Sequence, residues 1–142
     1  MRPISVRMPV ATTIALMIAA FLLAAAPAAH AGPLTIRTGE SWVFAVKDGE
    51  PADAKKAEAS AKPAKGEIMV TVRPLFGTNM IMTNNSSTAY TYRAELFVAG
   101  KPSGARTCTL PTGAQPTLEQ WPQKADAVRI STFRPTGPGG RC

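Results

Sequence analysis

Few side chains in this sequence could do chemistry. Two cysteines stand far apart, Cys108 in RTCTLP and Cys142 in TGPGGRC, and the single histidine is His30. Met80 and Met82 flank Ile81, so on a strand both thioethers face the same way. Soft sulfur of this kind suits Cu(I), and Met69 could supply a third ligand. Methionine at strand spacing is also ordinary core filler, and that is the first reading of this pair. The carboxylates Glu40, Glu67, Glu95, Glu119 and Asp126 are scattered, with nothing around them to mark a glycosidase pair. No glycine-rich loop opens a helix in the manner of a phosphate cradle.

These residues must be placed on a chain whose start has another purpose. The opening MRPISVRMPVATTIALMIAAFLLAAAPAAHAG has Arg2 and Arg7, then an apolar run from Ile14 to Ala26, then Ala29-His30-Ala31 before Gly32. Those are the three parts of a secretory signal peptide in order. The expectation is a signal over 1–31 and one domain over 32–142, in a periplasmic or secreted protein. The alternative is a retained anchor, for which the run is short against the roughly 20 residues of a span. Past residue 31 there is no histidine. That excludes Ser-His-Asp and Cys-His catalysis and every imidazole metal site. The full chain carries a formal charge of +7, and cleavage would remove Arg2 and Arg7 but no acid. The modest basic excess left is compatible with a polyanionic partner without requiring one.

Export would put Cys108 and Cys142 in an oxidising compartment, where they are expected to pair with each other. The bridge would strap down a glycine-rich tail and contribute roughly 3–4 kcal/mol in the chain-entropy model. A redox role lacks the C-x-x-C context at a helix start. An intermolecular bridge through Cys142 is the remaining option.

The elements that would carry these groups read as strands. In SWVFAV, Trp42, Phe44 and Val46 alternate; in EIMVTVRPL, Ile68, Val70 and Val72 share a face. TAYTYRAELFVAG is the clearest, with Tyr90, Tyr92, Ala94, Leu96 and Val98 in step. Rings paired in this way could form a sugar platform if exposed, but core is the first reading. TNMIMTNN, ARTCTL and DAVRISTF complete the set. Asn84-Asn85-Ser86-Ser87 reads as a hairpin turn, with turn chemistry favoured over glycosylation of its N-x-S contexts. Gly100 to Gly104 reads as a loop. Leu110 to Gln123 reads as mostly connection, with a capping-box helical turn at Thr117–Gln120. Residues 48–67, DGEPADAKKAEASAKPAKGE, hold no aliphatic side chain larger than Ala and read as a mobile loop.

Three stretches carry a resemblance: Asn84-Asn85-Ser86 ahead of Tyr90-x-Tyr92, then Cys108-Thr109-Leu110-Pro111, then Glu119-Gln120-Trp121-Pro122. Over roughly residues 68–134 the chain resembles small exported proteobacterial proteins with an immunoglobulin-like sandwich and no assigned role. The resemblance implies a fold and a compartment and transfers no activity. The expected fold is therefore all-β, an antiparallel, immunoglobulin-like β-sandwich of about six or seven strands. The expected function is a non-enzymatic binding or structural module of the cell envelope, without cofactor. Its partner would be another envelope protein or an anionic surface polymer, not nucleic acid. Glu119 and Trp121 are the candidate contact surface, and Met80 and Met82 the alternative Cu(I) site.

Overall fold

The computed structural model describes residues 30–137, so the signal expectation and Cys142 lie largely outside it. The chain forms nine strands and, among the described residues, no helix: β1 (Leu34–Arg37), β2 (Ser41–Lys47), β3 (Glu50–Lys56), β4 (Ile68–Arg73), β5 (Thr78–Asn84), β6 (Tyr90–Val98), β7 (Lys101–Leu110), β8 (Pro116–Trp121) and β9 (Ala127–Pro135). They make two antiparallel sheets, one ordered β1-β9-β6-β7 and the other β3-β2-β4-β5-β8. This is the expected β-sandwich with more strands than the six or seven expected. An antibody domain keeps its first two strands in one sheet; here β1 and β2 lie in different sheets, so the architecture is shared and the connectivity is not.

Alternation sets what goes inside. Tyr92, Ala94 and Leu96 of β6, Val70 and Val72 of β4, Met80 and Met82 of β5, and Val128 and Ile130 of β9 are all buried in one cluster. Phe133 sits at its aromatic centre, stacked on Tyr92 at 5.4 Å and meeting the edges of Phe44 at 5.6 Å and Tyr90 at 5.8 Å. Such geometry adds about 0.5–1.5 kcal/mol per pair beyond the area buried.

Residues 48–67 are not one loop. Asp48-Gly49 makes a two-residue turn, with φ of 51° and 77°, between Lys47 and its partner Glu50. The strand β3 that follows lacks large apolar side chains, but its backbone is occupied. It pairs with β2 from Lys47–Glu50 to Trp42–Lys56, across a bulge where Asp53 adopts φ 55°. Phe133 of the other sheet donates its N–H to the Gly49 carbonyl at 2.7 Å, and Pro51 and Ala52 are buried. Backbone hydrogen bonds, rather than side-chain burial, hold this edge strand.

Three other expectations are corrected. Asn84 to Ser87 is not a hairpin turn, because β5 and β6 belong to different sheets; it is a corner. The Asn84 side chain is fully buried there and organises it, donating to the Thr88 carbonyl at 2.8 Å and accepting from the Ser86 N–H and hydroxyl at 3.0 and 2.7 Å. Lys101 to Gly104 belong to β7, and the turn shortens to Ala99-Gly100. Thr117–Gln120 is strand β8, where pairing with β5 overrides a local helix-start signal.

Candidate functional site

Both β3 and β4 pair antiparallel to β2, so they run parallel to each other. The chain between them must travel back along the sandwich, and residues 57–67 do so over the outer face of the five-stranded sheet. This crossover is fixed at both ends. The Ala57 N–H donates to the Ser41 carbonyl at 2.9 Å, the Asn85 side chain donates to the Pro63 carbonyl at 2.9 Å, and Gly66 donates to the Asn85 carbonyl at 2.8 Å. Within the crossover Pro63 is buried.

A groove of about 460 Å³ lies between the crossover and the sheet. Its floor is the outward side of the central strands: Met69, Thr71 and Arg73 of β4, and Ile81 and Thr83 of β5. Ala59 to Pro63 form one wall, and Ala114 and Pro116 close the far side. Register explains the floor. Val43, Met69, Thr83 and Pro116 form one cross-strand row, and Ser41, Thr71, Ile81 and Leu118 the next. Ser41 and Thr71 share a hydroxyl–hydroxyl hydrogen bond of 2.8 Å, which leaves the aliphatic groups beside them to meet a ligand. Among the described residues the charged lining groups are Lys62 and Arg73, with no carboxylate. The volume falls in the range of small-ligand sites, about 300–1,000 Å³. Thioether, aliphatic, hydroxyl and amide groups with two cations suit binding of a slender, partly apolar anion or an extended chain segment.

A satisfied carboxylate lines a separate depression by the start of the crossover. Glu40 accepts from Lys56 Nζ at 2.8 Å, from Trp42 Nε1 at 3.0 Å and from the Arg37 N–H at 3.2 Å. The Lys56 contact first, then the Trp42 indole, lowers its pKa to about 2. It is a structural acceptor, tying the β1–β2 turn to the end of β3.

The residues expected to form a contact surface lie elsewhere. Trp121 ends β8 and is 3% exposed, packed into the core with Arg106 over its ring at 5.4 Å. Core burial takes Trp121 out of any contact surface, which corrects the reading of it as part of a connection. Glu119 alternates inward with it, half-buried and opposite Met80. Burial of Tyr92 and, secondarily, the Glu119 charge push the Tyr92 hydroxyl well above its ordinary pKa, and that hydroxyl has no hydrogen-bond partner among the described residues. Met80 and Met82 are fully buried in the core. Met69 faces the groove on the opposite side of the sheet, so it does not join them. Cys108 is buried on β7 opposite Tyr92; its expected mate, Cys142, is outside the described residues. The groove itself was missed. Its signals were Met69 and Ile81 at outward positions, which a period-two reading assigns to water.

Set against known protein families, curated proteins and solved structures, the chain matches none of them.

Proposed function

We propose that the chain is an exported, non-enzymatic β-sandwich module of the cell envelope, cleaved before Gly32 and strapped by a Cys108–Cys142 disulfide, that works by binding. The partner is an anionic surface polymer laid along the outer face of the five-stranded sheet. The observation that carries this reading is the groove: an apolar floor at Met69 and Ile81 with Lys62 and Arg73 as the charged lining groups among the described residues. Opposite charges steer such encounters and set register. The test is an NMR titration with purified envelope lipopolysaccharide. Shifts confined to Met69, Thr71, Ile81, Thr83 and the 59–63 wall, weakened at least about tenfold by Ile81→Glu, support the reading. Shifts elsewhere, or none, end it. An envelope protein cross-linked through a photoreactive group at Thr83, with no polymer response, would replace the polymer by a protein partner.

A further inference from the structure

We propose that the β4–β5 turn is a membrane-docking tip that seats on an anionic phospholipid surface. This goes beyond the groove, whose ligand could be held with or without it. Leu75 and Phe76 are adjacent, 59% and 88% exposed, and with Leu118 they are the large apolar side chains exposed among the described residues. Leaving a phenylalanine in water forgoes burial that would favour any apolar environment. Phe76 also sits at φ 50°, a left-handed conformation that a bulky residue adopts only when its surroundings impose it.

Those surroundings can be named. Gly77 follows at φ 115°, so close beneath β8 that a Cβ there would lie 2.1 Å from the Trp121 carbonyl oxygen. Asn79 donates its side-chain N–H to the Leu75 carbonyl. Thr78 donates its hydroxyl to the Gln123 carbonyl at 2.7 Å and accepts from the Ala125 N–H at 2.8 Å. The tip is therefore presented in one conformation, and little ordering entropy remains to be lost on docking.

The charge around it is complementary to lipid phosphate. Register puts the β1–β2, β4–β5, β6–β7 and β8–β9 turns at the same end of the sandwich. They bring exposed Arg37, Arg73, Lys101 and Lys124 to that end. Its acids are Glu40, held by Lys56; Asp126, whose carboxylate accepts the Ala99 N–H; and Glu58 just past β3. Apolar side chains ahead of a basic collar are the pairing that binds an anionic interface, with insertion and electrostatics each contributing.

The test is carried out on the full chain as its host delivers it, with Phe76→Trp as a local probe. The vesicles are phosphatidylcholine alone or with phosphatidylglycerol, each with and without brominated acyl chains. The expected result is a blue shift and bromine quenching of the new indole with phosphatidylglycerol present, and neither with phosphatidylcholine alone. Trp42 and Trp121 also emit, so the response is read as the difference from the wild-type chain on the same vesicles, which isolates position 76 from an apolar segment elsewhere in the chain. Lys124→Ser should weaken the response about fivefold, and Leu75→Ser in the probe background about tenfold, both with unchanged thermal unfolding. No shift or quenching with anionic vesicles, or the same response with both lipids, overturns the proposal.

Discussion

The two sheets bury one face each against the other, and their outer faces differ. On the four-stranded sheet the outward side of β6 and β9 carries one cross-strand ion pair beside the exposed Arg93 and Arg134. Arg129 pairs with Glu95 at 2.8 Å, directly across the strands, and its guanidinium lies 4.8 Å from the Phe97 ring centroid. On the five-stranded sheet the same positions carry Met69 and Thr71, which are buried, and Ile81 and Thr83, which are only half-buried, beside the crossover. A sheet face that is only meant to be wet can be finished with paired charges. On the other face Met69 and Ile81 lie beside Lys62 and Arg73, the arrangement on which the proposed binding rests. The contrast distinguishes two outer faces that alternation alone would treat as equivalent.

The sharpest way to break the contrast is to dismantle the groove's floor. Gly77→Ala would place a methyl 2.1 Å from the Trp121 carbonyl and 2.9 Å from that of Pro122, at a φ that L residues resist. The backbone of β8 would have to move away from β5. The expected cost is about 3 kcal/mol or more, read as a shift in the denaturant midpoint at constant slope. A cost under about 1 kcal/mol would mean that β8 is loosely attached and the groove not a rigid feature.

Next in size is the proposed strap from Cys108 on the other sheet. If Cys108 and Cys142 are bridged, Cys142→Ser should lower stability by about 3 kcal/mol, and reducing the wild type should do the same. Intact mass before and after reduction checks the bond itself. A reduction-sensitive dimer would instead make Cys142 an intermolecular link.

What the sequence made legible depends on what holds each strand. β6 was readable from Tyr90 to Val98 because burial on one side holds it, and burial leaves a period of two. β3 was not, because Ala52, Ala54 and two lysines leave no such record; backbone bonds to β2 and to Phe133 hold it. One signal for it was present, the Asp48-Gly49 pair that marks a two-residue hairpin. β8 was misread for the opposite reason. Thr117 and Glu119-Gln120 imitate a helix start, and only the unpaired edge of β5 decides otherwise. Trp121 then followed β8 into the core. The groove arises from the crossover's path over the sheet, a non-local fact at which Met69 and Ile81 in outward positions only hint.

In the β1–β2 turn, beside the start of the crossover, Glu40 makes stability depend on pH. Its pKa is lowered to about 2, mainly by Lys56 and then Trp42. A carboxylate lowered in the folded state stabilises above its unfolded value, near 4.5, and that stability is lost as pH falls through about 2. Lys56 is well exposed, so solvent screening reduces the effect to about 1 kcal/mol. Glu40→Gln should therefore lower stability by that amount at neutral pH and flatten the acid limb of the pH–stability curve. An unchanged curve would show that the β1–β2 turn holds β3 without this carboxylate.

The smallest effect bears most directly on the contrast. A double-mutant cycle over Glu95→Ala and Arg129→Ala should give a coupling of only about 0.5 kcal/mol, fading with salt, because the arginine is 40% exposed. The informative readout is binding. If the four-stranded face is finished, the double variant keeps the wild-type response in the lipopolysaccharide titration while Ile81→Glu loses it. A double variant that lost binding while remaining folded would put part of the partner's footprint on Glu95 and Arg129. The two outer faces would then be one continuous surface wrapping the edge of the sandwich.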